Sequence, residues 1–559
     1  MTIKTRTLVK TALASALAAS LSLPAQAAEP NTLTIVAQQA TTWVKNFNPF
    51  NVVSGLHTTR HFMFEPLVVF NDMKGGTPHF RLATDYQYSD DLKSLTFTLR
   101  QGVKWSDGEA FNADDVVYSF NLLNQHQELD ELAVWSKISK VEKLNDHQVK
   151  VSINQVDTNL IYDLVLVPIV PEHQWKNVED PVSFTNAEPV GSGPFTEVER
   201  FTAQVYTQCR NPHYWDADNL GVDCLRMPQL ANNDQVLAAA VAGQLDWFGS
   251  FIPDVDKIYV GANPDHHKYW YPPSGTVAFN INFESPNPNN RMAFQDVNFR
   301  RAFSMAMDRQ AMVDVAGYGY PTVNEYPSGL GATFHSWNNP DVDAKYGQFN
   351  KFNLDEAKKL LDQSGYLDKD GDGFRDNPDG SPIEFSVLVP NGWTDWVNTV
   401  QIGVEGLQAM GINAKVSTPE APVWTDKLKN GDFDAALQGY FAGANPHKYF
   451  ETAFHSRNMG PVGNRFAANR FIDIDLDRLL DAFASTADDA KRRELLNQAQ
   501  ERVGANQTII PVFNNPSWYQ YNDARFVGWF NAENAQAKPQ LHPDTPERLL
   551  HVLNLRPRS

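Results

Sequence analysis

The run Asp368-Lys369-Asp370-Gly371-Asp372-Gly373-Phe374-Arg375-Asp376 sets carboxylates at its first, third and fifth positions and glycine at its sixth, with Asp379 at the twelfth. Oxygen donors at that spacing, with the Phe374 carbonyl among them, can surround a calcium ion while Gly373 permits the sharp turn. Against a calcium loop, the twelfth residue is Asp where Glu is usual, and Asn377-Pro378 breaks whatever follows, so the same run also reads as a plain turn. A second group, Asn391, Trp393 and Asp395, puts a flat indole beside an amide and a carboxylate within five residues. That set can stack on an apolar ring face while donating and accepting hydrogen bonds, although a lone loop tryptophan equally suits partial core packing. Acids for hydrolysis abound, but spacing along a chain does not give the distance between two carboxylates. Gly191-Ser192-Gly193 lacks the spacing of a nucleophile elbow, and His266-His267 lacks that of a metal-binding helix. An enzyme, with a secreted glycoside hydrolase as the form to weigh, is therefore the minority reading.

The elements that position these groups belong to an exported chain. Lys4, Arg6 and Lys10 precede an apolar run from Thr11 to Leu23, followed by Ala25-Gln26-Ala27, the pattern of a secretory leader cleaved near Ala27. That run is shorter than the roughly 20 residues a membrane span requires, so no stable membrane insertion is expected. In an oxidising compartment the two cysteines, Cys209 and Cys224, are expected to pair; zinc thiolates would need partners that are not nearby, since His213 stands alone between them. The formal charge of -19 sets the chain against nucleic acid and anionic lipid surfaces.

Short alternating strands mix with amphipathic helices, which predicts an α/β, or mixed α+β, architecture. Leu33 to Ala37, Leu95 to Leu99, Gln148 to Ile153, Ile383 to Val389 and Ala414 to Val416 read as strands, and helices open at Ala113, Asn353 and Asp488. Breaks near Tyr271 to Gly275 and Pro511 to Pro516 suit a chain that enters a second lobe and returns.

The segment LTFTLRQGVKWSDGEAFNADDVVYSF, from Leu95 to Phe120, resembles the signature of the oligopeptide- and dipeptide-binding solute receptors of ABC transporters. Gly191 to Phe195, Asn211 to Trp215, Phe299 to Phe303 and Asp308-Arg309 follow in that family's order. The resemblance narrows at NFNPF (46–50), HTT (57–59), EPLVVFN (65–71), ANNDQ (231–235), NGWTD (391–395) and PERLLHVL (546–553), which look like the chitooligosaccharide-binding receptors of marine bacteria. It implies a two-lobed periplasmic binding protein of type II, in the large class with an extra subdomain in the N-terminal lobe. The implied division is a leader over 1–27, an N-terminal lobe over 28–275, a second lobe over 276–512 and a return over 513–559. It implies a monomer that binds an oligosaccharide in the periplasm and delivers it to permease subunits, with no cofactor.

By resemblance the sugar-contacting residues are Trp393 and Asp395 with Asn391, Asn232 or Asn233, Arg465 and Phe466, with Phe441 as a further wall. Two departures stand out: His542 replaces a second stacking tryptophan, and Gly439 replaces an asparagine. A shorter or shifted site follows, or one tuned to cello- or laminari-oligosaccharides. The aromatic tract Trp518, Tyr519, Tyr521, Trp529 and Phe530 is either compensation or core. Peptide receptors of the family anchor the ligand's ammonium on a carboxylate within the segment matching Gly439 to Pro446, where this chain has no acid, so an oligopeptide is the alternative ligand.

Overall fold

All five residues of Thr32–Val36 are buried, because this strand runs parallel to Cys224–Pro228 on one side and to Trp247–Phe248 on the other. Central strands of parallel pairing lose both faces to the core. It lies within a seven-stranded sheet ordered His267–Tyr269, Gln520–Asn522, Trp247–Phe248, Thr32–Val36, Cys224–Pro228, Val205–Arg210 and Phe195–Phe201. Cys209 and Cys224 face each other in register on neighbouring antiparallel strands, and a disulfide joins them. These are features of a computed structural model that describes residues 31–37, 39–50, 58–440, 443, 445–460 and 464–558; the segment expected to be a leader, His57 and Phe441 lie outside the described residues.

A four-stranded antiparallel sheet, ordered Ala83–Tyr88, Ser94–Leu99, Gln148–Ile153 and Ile138–Asn145, forms the extra subdomain. The Trp105 to Asp115 motif turns out to be its bracket. Gly108, at φ +93°, closes a turn onto the Trp105 carbonyl. Asn112 and Asp115 form a reciprocal cap on the helix Ala113–Gln125. The buried Asp115 carboxylate accepts from Asn112 N at 3.0 Å, Trp105 Nε1 at 3.1 Å and Glu172 N at 3.0 Å. Replacing Asp115 with Ala orphans three donors at about 1 kcal/mol each, so the variant should lose about 3 kcal/mol in urea unfolding, while Asp115→Asn loses less. A loss below about 1 kcal/mol would show that the three donors find other partners. Two other landmarks also prove to be one structural unit. Glu65 holds Arg81 at 2.7 Å, Tyr214 at 3.0 Å and Trp215 Nε1 at 2.7 Å, tying the Glu65 segment to Asn211–Trp215.

The second lobe is built on a six-stranded sheet ordered Thr322–Val323, Ile510–Pro516, Pro273–Ile281, Ala435–Tyr440, Glu384–Leu388 and Asn413–Ser417. Asp308 caps the helix Arg309–Ala311, and Arg300 reaches the Asn506 carbonyl, so the arginine-rich landmark braces this lobe. The chain changes sheet between Tyr269 and Pro273, and again between Pro516 and Gln520. The apolar cores divide at the same places: one runs through Leu33, Trp105 and Leu549, another through Phe279, Val387 and Val512. Lobes with separate cores can move as bodies about two short crossings.

Candidate functional site

The NGWTD segment lies where the lobes touch. Gly392, at φ +78°, brings the second lobe so close to the first that a Cβ added there would sit 3.1 Å from Asn232 Cβ. Asn233 Nδ2 donates to Thr394 Oγ1 at 3.2 Å across the gap. Asn233 Oδ1 in turn accepts from Ser250 Oγ at 2.9 Å and Gln39 Nε2 at 3.1 Å, so its amide is fixed as a bridge between lobes. Asn232 is committed elsewhere: its side chain caps the helix Asn233–Val241 by accepting from Gln235 N at 3.0 Å. Asn391 likewise donates to Glu420 Oε1 at 3.0 Å. These two amides, expected to face a ligand, are occupied by helix capping and by a local ion-dipole contact.

Trp393 is half-buried against Trp396, edge-on at 5.1 Å between ring centres, with Trp424 at 6.1 Å. Two residues on, Asp395 is only 7% exposed in the first turn of the helix Thr394–Ala409. Burial pushes its pKa up to about 7, opposed only by hydrogen bonds from its own and the Trp396 backbone N–H. A carboxyl held near neutrality both donates and accepts, as a hydroxyl partner requires. Sequence reasoning did not flag Trp396. Its indole lies over Gly439, where a Cβ would meet it at 3.3 Å, so the glycine that replaces an expected asparagine makes room for a ring.

Arg465, Phe466 and His542 come together although 542 belongs to the C-terminal return. The Arg465 guanidinium lies 4.4 Å over the Phe466 ring and 3.8 Å from Asp544, and His542 Nδ1 lies 3.6 Å from the same carboxylate. Asp544 is thus a cross-lobe member of the site that the sequence did not single out; only its place before the PERLL segment hinted at it. Phe466 leans on Tyr440 at 6.5 Å. Tyr440 lines a cavity between the lobes with Ser274, Thr276, Thr333 and Tyr449 of the second lobe, and Lys538 of the first closes it. Among the described residues, no carboxylate lines it. Lys538 itself is held 2.5 Å from Asp72, with Glu547 beside that pair raised to about 7 by burial.

The aromatic tract near the C-terminus is mostly core: Tyr519, Tyr521, Trp529 and Phe530 are buried, stacking around His551 and one another. Only Trp518 is partly open, and it packs edge-on against Phe251 and Tyr271 at the crossing between lobes.

In the Asp368 loop, oxygens of Asp368, Asp370 and Asp376 lie within 4.8 Å of one another. The side chains of Asp372 and Asp379 do not join them. Asp372 accepts from Phe374 N at 2.8 Å, and Asp379 accepts from Ser381 N at 2.9 Å. Asp368 itself takes two backbone N–H groups of the turn, from Gly371 at 2.7 Å and Gly373 at 3.0 Å. The loop is followed by the strand Glu384–Leu388, not by a second helix. The loop holds itself as a turn through these bonds, and three of its carboxylates converge within reach of one ion.

Among the described residues no helix is long and apolar enough to cross a membrane. The family described as bacterial extracellular solute-binding proteins, family 5 Middle, matches residues 77–461. Di/tripeptide-binding protein 1 of Pseudomonas aeruginosa is 25% identical over 501 residues, covering 83% of this chain and 86% of its own. The crystal structure of a periplasmic oligopeptide-binding protein from Thermotoga maritima, bound to mannohexaose, superposes with a TM-score of 0.86 at 24% identity, covering 95% of this chain and 99% of that one. The oligopeptide-binding protein AppA of Bacillus subtilis, in complex with a nonapeptide, gives 0.77 at 19% identity, covering 94% and 99%. With two lobes, a cleft between them and a family match across most of its length, the chain belongs to the bacterial extracellular solute-binding proteins of family 5, the substrate-binding components of ABC transporters.

Proposed function

We propose that this protein is the periplasmic receptor of an ABC importer and that its ligand is a neutral β-linked oligosaccharide. Chitooligosaccharides come first, with cello- and laminari-oligosaccharides next. The carrying observation is the interlobe cavity, which among the described residues is lined by hydroxyls, rings and a lysine and by no carboxylate. An ammonium buried there would lack a counter-charge, whereas hydroxyls find partners that donate and accept. The half-open indole of Trp393 and the neutralised carboxyl of Asp395 supply a ring platform and a hydroxyl partner. The mannohexaose in the Thermotoga structure shows that a protein of this shape can hold a sugar chain. On this reading the chain crosses between lobes near 270–273 and 516–520, and the lobes close over the ligand as rigid bodies for presentation to the permease.

A peptide ligand is the second reading, and the names of the curated relatives favour it. One feature of the site supports it too: Asp395 is a buried carboxyl with no cationic partner among the described residues, and a ligand ammonium would lower its pKa and pair with the ionised form. Isothermal titration with chitobiose, cellobiose, laminaribiose and a dipeptide mixture separates the readings. The expected result is binding of a disaccharide near micromolar, about −8.2 kcal/mol, with no heat from dipeptides. Binding of dipeptides alone would replace the sugar by a peptide. The same sugars incubated with the protein should be recovered uncleaved.

A further inference from the structure

Beside the cavity the lobes meet through four charges, three of them buried and the fourth, Lys448, partly exposed. Lys137 ends the short helix Val134–Lys137 and Asp163 lies on the helix Leu160–Leu164, both in the first lobe. Lys448 and Glu451 lie one turn apart on the helix Pro446–Phe454 of the second. Lys137 Nζ is 2.8 Å from Asp163 Oδ2 and 2.6 Å from Glu451 Oε1, while Lys448 Nζ bonds Asp163 Oδ1 and lies 3.5 Å from Glu451 Oε2. The four form a square of alternating sign, with two edges inside the lobes and two edges crossing between them. Lys137, Asp163 and Glu451 are each less than a tenth exposed.

Neighbouring backbone and amide groups close the same seam. Asn445 Nδ2 donates to Asn159 Oδ1 at 3.1 Å, Thr158 N to the Ala484 carbonyl at 2.8 Å, and Arg492 Nη2 to Thr158 Oγ1 at 2.8 Å. The helix that carries Lys448 and Glu451 also carries Tyr449, which lines the cavity. The quartet therefore adjoins the ligand space without lining it.

Each lobe contributes one cation and one anion. When the lobes part, Lys137 keeps Asp163 and Lys448 keeps Glu451, and both pairs regain water. When they shut, the charges lose solvent, Lys448 only in part, a cost that the crossing edges offset only if every charge has its opposite. Burial opposes the charge on Lys137, but Asp163 and Glu451 override it and raise its pKa; Lys448 and Lys137 likewise hold Glu451 well below the usual carboxylate range despite burial. All four are charged at neutral pH. Removing one leaves an odd charge held out of water in the shut interface, whereas in the parted state the same charge is solvated.

We propose that Lys137, Asp163, Lys448 and Glu451 form an interlobe latch that sets the free energy of lobe closure, and through it ligand affinity, from positions that touch no ligand. This rests on the chain being a two-lobed solute receptor and not on whether the solute is sugar or peptide.

The test needs no ligand. Asn159→Cys and Asn445→Cys put thiols on opposite sides of the seam, and the rate at which a short bifunctional thiol reagent joins them reports how often the lobes shut. Added to that background, Lys137→Met is expected to slow cross-linking at least tenfold. Lys137→Met combined with Glu451→Met leaves the neutral Lys448–Asp163 pair and is expected to return the rate to within about threefold of the parent, and Lys137→Arg is expected to retain it. Glu451→Gln, nearly the same shape, carries the same expectation as Lys137→Met if that variant does not fold. A parental rate in the single-charge variants, or a double variant slower than either single one, would overturn the latch.

Discussion

Asp395→Asn, without ligand, is expected to be more stable than the parent at pH 8 by roughly 4 kcal/mol and equal to it at about pH 3. The reason is the direction of the shift. Burial raises the Asp395 pKa from 3.8 to about 7 in the folded chain, so the folded state holds a proton that the unfolded state releases. Below about pH 3 the carboxyl is protonated in both states, and nothing distinguishes it from an amide in charge. As pH rises from about 4 to 7 the unfolded state ionises first and the parent loses stability; above 7 the full penalty, about 1.4 kcal/mol for each pKa unit, is present. Asparagine keeps an oxygen for the Trp396 N–H and carries no charge. Urea unfolding at several pH values reads this directly. A stability difference that does not change with pH, or that favours the parent at pH 8, would mean that Asp395 already has a cationic neighbour. The same carboxyl also distinguishes the ligand classes. An ammonium seated on it would pull its pKa down and release a proton on binding, whereas a neutral sugar leaves the proton in place.

Trp393→Ala is expected to weaken binding of the recognised oligosaccharide at least tenfold and to cost roughly 2 kcal/mol of stability. The second figure follows from the structure. The indole packs edge-on against Trp396 and near Trp424, at the margin of the second-lobe core, so truncation leaves part of a cavity as well as a bare platform. Full burial of a large aromatic costs about 3 to 5 kcal/mol on truncation, and a half-buried ring costs about half of that. Trp393→Phe keeps a ring face and should lie between the two in affinity. Titration calorimetry and urea unfolding on the same preparations separate the roles. Intact affinity together with a large loss of stability would assign Trp393 to packing alone.

Much of the fold was legible in the chain because it is local. The strands near 33, 95, 148, 384 and 414 and the helices opening at 113, 354 and 489 appear within a residue or two of where periodicity and caps put them. The motif from Trp105 to Asp115 owes its residues to a turn and a reciprocal helix cap, both written in a dozen consecutive positions. The site was legible only in part. Trp393, Asp395, Asn233, Arg465, Phe466 and His542 lie at or near places where the lobes meet, but Asn232 and Asn391 hold other partners, and Trp396, Asp544 and Lys538 went unremarked.

By itself the sequence determined the element types and the shortage of acids near Tyr440, since each depends on neighbours within a few positions, and it determined the cysteine pair because the chain has only two. Tertiary structure alone decided which amides are already engaged, that Asp395 is buried without a counter-ion, and that Lys137 and Asp163 meet Lys448 and Glu451. Hydrogen bonding and desolvation depend on which distant segments share a volume, and residues some 300 positions apart acquire their electrostatics only when two separately cored lobes come into contact.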